Sequence, residues 1–117
     1  MRKAEHNDLI RLSHVRDAAE KALAFIEGKT RESLDEDDLL VFGLMRAFTI
    51  IGEAASNITD SFQAAHPEIP WALMIGMRHR IVHAYFDVDL DIVWDTVTEN
   101  LPSLLKVVEP ILSTDNE

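Results

Sequence analysis

Residues 37 to 57, DDLLVFGLMRAFTIIGEAASN, constrain this chain more than any other stretch. Leu40, Leu44, Ala47, Phe48, Ile51 and Ala55 repeat at steps of three and four, the period of one helix face. Phe42, Met45 and Ile50 fall on other faces of the same helix. A helix that is apolar nearly all round has to be covered on more than one side. In a chain of 117 residues that makes it the centre of a bundle or a subunit interface. Gly52 costs about 1 kcal/mol relative to Ala in a helix interior, and a close helix approach there would account for it.

The other segments supply the covering helices. Apolar residues at 9, 12, 15, 19, 23 and 26 repeat at helical spacing, and Gly28 stands where a C′ glycine would end that helix. Ser33 and Glu36 have capping-box spacing, and the acids of KTRESLDEDDLL suit a helix start and solvent better than a metal. The two prolines of AAHPEIPW fix an extended turn, with Pro70 placed to open the next helix as N1. DVDLD offers aspartate N-caps for a last helix carrying Val93, Val97, Leu101, Leu104, Val108 and Ile111. Pro102 falls inside that pattern, so a kink or break is expected there. No strand period of two is visible. The reading is an all-α bundle of four to five helices, in a single domain over residues 1–117.

Charge narrows the function. Residues 1–31 hold seven of the eleven Lys and Arg against five of the 21 acids, whereas the rest of the chain is strongly acidic. Net charge is -10, so most of the surface would repel nucleic acid, and a polyanion has to be met locally. With no cysteine there is no disulfide, thiolate metal site or thiol nucleophile, which fits a reducing compartment. The first residues carry no signal-peptide core, and no run approaches eighteen apolar residues, so the expectation is a soluble cytoplasmic protein.

Against this background GMRHRIVHAYFDVD, residues 76–89, stands out for Arg78, His79, Arg80, His83 and Tyr85. On an ideal helix His79 and His83 share a face at zinc-pair spacing, but Arg80 stands where a metalloprotease helix carries its glutamate. On the same helix Arg78 and Tyr85 are nearly eclipsed, and Arg78 and His83 flank a groove. An arginine fork holds phosphate and a histidine moves a proton near neutral pH, the two components needed to cleave RNA without a metal. Residue chemistry alone favours the plainer reading, a surface helix whose arginines pair with the abundant acids.

The stretch Arg78-x4-His83-x-Tyr85 resembles the R-x4-H-x-Y motif of the HepT-like family, toxins of the HEPN superfamily. IIGEAASNI at 50–58, HPEIPWALMIGMRHRIVHAYFDVDLDIVW at 66–94 and LPSLL at 101–105 also read like that family. The resemblance implies a small helical, metal-independent ribonuclease that needs no cofactor and acts as a homodimer with two motifs lining one cleft. It implies Arg78 and His83 as the catalytic pair, with His79 and Arg80 as auxiliary substrate contacts. It further implies a nucleotidyltransferase antitoxin of the MNT type, which silences the toxin by attaching AMP to Tyr85. His79 replaces a common Asn and Ala84 a common Gly, and neither change removes a catalytic group. The alternative reading is a non-catalytic helical partner of a small nucleotidyltransferase.

Overall fold

The structure is a computed structural model; it describes residues 3–80, 82–84 and 87–115. Four helices of ten residues or more carry the bundle: α1 (Lys3–Phe25), α3 (Asp38–Ser56), α5 (Trp71–Arg80) and α7 (Leu101–Asp115). Shorter turns lie between them: α2 (Ser33–Glu36), α4 (Asp60–Ala65) and α6 (Leu90–Asp95). A small antiparallel ribbon, β1 (Val82–Ala84) with β2 (Asp87–Val88), follows α5. The fold class is therefore all-α, with a ribbon too short to show an alternating pattern in sequence.

The all-round apolar helix is the hub. α3 packs against both α1 and α5, and its stripe Leu40, Leu44, Ala47, Phe48, Ile51 and Ala55 is buried, together with Gly52. By length and composition α3 is the one described helix able to cross a bilayer, but its stripe is spent on the core of a globule. From α1, Leu12, Val15, Ala19 and Ala22 meet it; Val97, Leu101, Leu104 and Val108 close the other side of α1. These side chains are fully out of water, and burial at about 25 cal/mol per Å² is what holds the helices together.

The caps show how local chemistry sets the joints. α1 ends at Phe25, and Gly28 takes φ +74, the left-handed conformation that glycine adopts without steric cost. The capping box expected at Ser33 does not form, since Ser33 is already helical and its Oγ accepts from Thr30 N–H at 3.0 Å. The effective cap is Asp37, which accepts from Leu40 N–H at 3.1 Å and starts α3. Pro70 lies just outside α5, and its carbonyl accepts from Met74 N–H, so it precedes the helix instead of forming its first residue. Asp89 caps α6 through Asp91 and Ile92 N–H, as its position in DVDLD led one to expect.

The break expected near Pro102 takes a definite form. Residues Thr96–Asn100 make a wide π turn, closed by Leu101 N–H on the Thr96 carbonyl, immediately before α7. Pro102 has no N–H for the Thr98 carbonyl and its ring would press on it, so a widened turn relieves the conflict. Pro110, inside α7, sits with Lys106 on the exposed face, where water can reach the unbonded carbonyl.

One buried acid ties α1 to the far end of α3. Asp8 is 1 % exposed and accepts from Thr59 N–H at 2.9 Å and from Thr59 Oγ1 at 2.6 Å. The same Thr59 hydroxyl accepts from Phe62 N–H and caps α4. Nothing in the apolar periodicity of α1 marks this residue, because a polar side chain at a core position reads as an interruption.

Candidate active site

The cationic segment is built on α5 and the ribbon. α5 is fixed at its start by Trp71, whose indole Nε1 donates to the His66 carbonyl at 2.9 Å. Its ring lies edge-on to Phe62, with centroids 6.2 Å apart. One and two turns along, Met74 and Met77 are buried in the core. The C-terminal half of α5 is thus held by packing on α3, and Arg78, His79 and Arg80 occupy its last three positions.

A run of cations at that place is favourable, because carbonyl groups left unpaired at a helix C-terminus carry partial negative charge. The helix stops there for a local reason. Val82, which opens β1, is β-branched and stiff at χ1, which suits an extended backbone. His83 is the middle residue of β1, whose register with β2 is irregular, Val82 pairing with Val88 and Ala84 with Asp87.

This corrects the helical-wheel geometry. Arg78 and His83 do not share a helix, so they do not flank a groove on one helix, and His79 and His83 are not an i, i+4 pair on one face. The zinc-pair spacing that a continuous helix would give these two residues, already set aside for Arg80, therefore does not arise. Among the described residues, no group of three or more His, Asp and Glu is arranged to hold a metal ion. The structure places His79 exposed at the end of α5 and Arg78 and Arg80 by backbone on either side of it. Tyr85 and its neighbour Phe86, between the two strands, lie outside the described residues.

The start of α6 is tied to the opposite half of the chain. Arg31 Nε donates to Asp91 Oδ1 at 2.7 Å, and Arg31 also reaches Asp35 at 3.2 Å. Hydrogen bonds to Asp91 and Asp35 hold the guanidinium pKa above its ordinary value. Arg31 thereby offsets two acids beside the segment. α2 packs on α6 at the same place, so the loop after α1 and the start of α6 form one end of the molecule.

Positive charge from the first helix gathers elsewhere. Arg11 and His14 line a groove of about 400 Å³ between α1 and α3 with Asn7 and Asn57, and Glu53 faces the same space. This groove is therefore of mixed charge.

Fold and site define a small helical protein that ends one core helix with Arg78 and Arg80, in a chain that is strongly acidic after residue 31. The chain belongs to the HepT-like family of ribonucleases: residues 15–111 match the family described as "Ribonuclease HepT-like". A "Probable ribonuclease HepT" from Thermococcus cleftensis is 45% identical over 106 residues, covering 87% of this chain and 91% of the relative. A protein from Caldanaerobacter subterraneus subsp. tengcongensis, whose name proposes an RNase, is 33% identical over 104 residues, 89% and 93% of the two chains. One from Methanocaldococcus jannaschii, similarly named, is 30% identical over 98 residues, 84% and 90% of the two chains. No solved structure matches the chain.

Proposed function

We propose that this protein is a metal-independent endoribonuclease toxin in which Arg78 and His83 act together on the RNA backbone. The observation that supports the reading is membership of the HepT-like ribonuclease family in a chain whose helix α5, anchored by Met74 and Met77, carries Arg78 in its last turn, with His83 in the strand that follows. His83 moves the proton: the 2′-oxygen forms a bond to phosphorus, the bond from phosphorus to the 5′-oxygen breaks, and the 2′-hydroxyl proton ends on the departing 5′-oxygen. Arg78 holds the phosphate and offsets the charge that builds on the crowded phosphorus. His79 and Arg80 assist by contacting neighbouring phosphates.

The protein acts as a cytoplasmic homodimer, because one copy of the segment supplies only one Arg78 and one His83 to a cleft. Its partner is a nucleotidyltransferase antitoxin of the MNT type. In the silencing step the Tyr85 oxygen bonds to the α-phosphorus of ATP and pyrophosphate leaves. The bulky anion left on Tyr85 then pairs with the neighbouring arginines and fills the phosphate position.

Digestion of a single-stranded RNA by the purified chain in EDTA tests this reading. Fragments ending in a 2′,3′-cyclic phosphate and a 5′-hydroxyl are expected. An inert protein that still binds a nucleotidyltransferase would replace the enzyme with a helical binding module.

A further inference from the structure

The groove between α1 and α3 gathers polar groups that the fold itself does not use. α1 contributes Asn7, Arg11 and His14, spaced four and three apart on one face, and α3 contributes Glu53 and Asn57, four apart. Ile50 and Ala54, both half-buried, give the space its apolar lining together with Ile10. At about 400 Å³ it falls within the size range of sites that hold a small ligand.

The spacing of the two walls is fixed by the buried clamp beside them. Asp8 follows Asn7 in α1 and binds Thr59, two residues beyond Asn57, through both carboxylate oxygens. Asn57 Nδ2 donates to the Glu53 carbonyl at 2.9 Å, so its Oδ1 remains an acceptor. Among the described residues, none of Arg11, His14 and Glu53 enters an ion pair or a side-chain hydrogen bond, although all three line one space. Cations and a carboxylate held apart in this way suit an occupant that brings an anion for the first and a donor edge for the second. On a chain of net charge -10, two cations facing one groove are also a local exception to the repulsion of anions.

We propose that this groove binds a guanine nucleotide. Guanine is the one common RNA base whose Watson–Crick edge sets two N–H donors side by side, the ring N–H and the exocyclic amino group. An ionised carboxylate only accepts, and Glu53 takes both donors, one on each oxygen. On adenine or cytosine a ring-nitrogen lone pair would face the second oxygen, and uracil flanks its single N–H with two carbonyls. The Asn7 amide donates to the guanine carbonyl, the ring lies against Ile50 and Ala54, and Arg11 with His14 holds the phosphate.

The same chemistry has two sources, a free nucleotide and a guanosine of single-stranded RNA, whose unstacked bases are read on this edge. For the second source the proposal rests on the ribonuclease reading above and makes the groove a determinant of which RNA is held.

Calorimetric titration of the full chain with the four nucleoside monophosphates tests the site without any cleavage. Guanosine monophosphate is expected to bind roughly 10-fold more tightly than the other three, the scale of hydrogen bonds to a charged group. Glu53→Gln alters an exposed side chain, should keep its helical circular dichroism, and is expected to lose that preference. Arg11→Ala should weaken guanosine monophosphate and leave guanosine unchanged. Uncleavable 2′-O-methyl RNA of adenosine and uridine, with and without one guanosine, separates the sources. A gain from the guanosine that vanishes in Glu53→Gln assigns the site to RNA, and a preference confined to the mononucleotide assigns it to the free form. Equal binding of all four bases in both formats, or a guanine preference undiminished in Glu53→Gln, would overturn the proposal. Cleavage is scored separately: an inert chain that selects guanine through Glu53 loses the ribonuclease and keeps the groove, and a cleaving chain blind to guanine does the reverse.

Discussion

Arg78 lies in the last turn of a core helix and His83 in the middle of a strand, so a change of backbone type separates the two residues. Five residues of continuous helix would have fixed their relative angle. The change from helix α5 to strand β1 removes that constraint.

That junction depends on Met77, which is 2% exposed directly before Arg78. Met77→Ala should lower unfolding free energy by about 2–5 kcal/mol through lost burial and a residual cavity. Chemical denaturation checks the loss. Because α5 loses its last buried anchor, cleavage by the folded fraction should also fall.

Asp8 is a buried acceptor whose two oxygens are both used by Thr59. Asp8→Ala leaves Thr59 N–H and Oγ1 without that partner and should cost about 1–3 kcal/mol. A melting temperature several degrees lower, with RNA cleavage retained at low temperature, is the expected result. An unchanged melting curve would mean that water replaces the carboxylate at no cost.

Most of the helical frame was legible because it follows from apolar period alone: the α3 stripe, the Gly28 stop and the Asp89 cap all stand where the residues indicate. Features that depend on what a neighbour does were not legible. Ser33 could not cap because it is already helical and its hydroxyl is held by Thr30 N–H, and Asp8 looks like a solvent residue until Thr59 is placed beside it. At the site, Arg78 and His83 were visible as chemistry, but the geometry drawn for them was wrong. A three-residue strand is too short to interrupt a helical reading, and β-branched Val82 is its only local hint. Leu39, exposed on α3, escaped notice because exposure of an apolar residue on a core helix is decided by which faces its neighbours cover.

Gly43→Ala tests the packing of Phe25 on α3, since a Cβ at this position would lie 3.3 Å from Phe25 Cε2. The added methyl gains up to about 1 kcal/mol of helix propensity. Phe25 is only half-buried at the end of its helix, so its ring tip can move the few tenths of an ångström required. A modest rise in melting temperature is expected; a fall would show that the ring is fixed.

Tyr85 carries the proposed control. Incubation with a nucleotidyltransferase partner, ATP and magnesium should raise the mass of the chain by one or more AMP units and suppress cleavage. Tyr85→Phe should escape both effects. Undiminished labelling of that variant would put the control site elsewhere.

The most direct measurement is single-turnover cleavage of a short RNA in EDTA by the unmodified chain, Arg78→Ala and His83→Ala, each verified as folded by circular dichroism. Removing a general acid–base group or a charge-stabilising group costs roughly 10²–10⁴ in rate, so each variant should lose at least 100-fold while keeping its helices. Cleavage by folded His83→Ala at the unmodified rate would contradict the assignment of this residue to the chemistry.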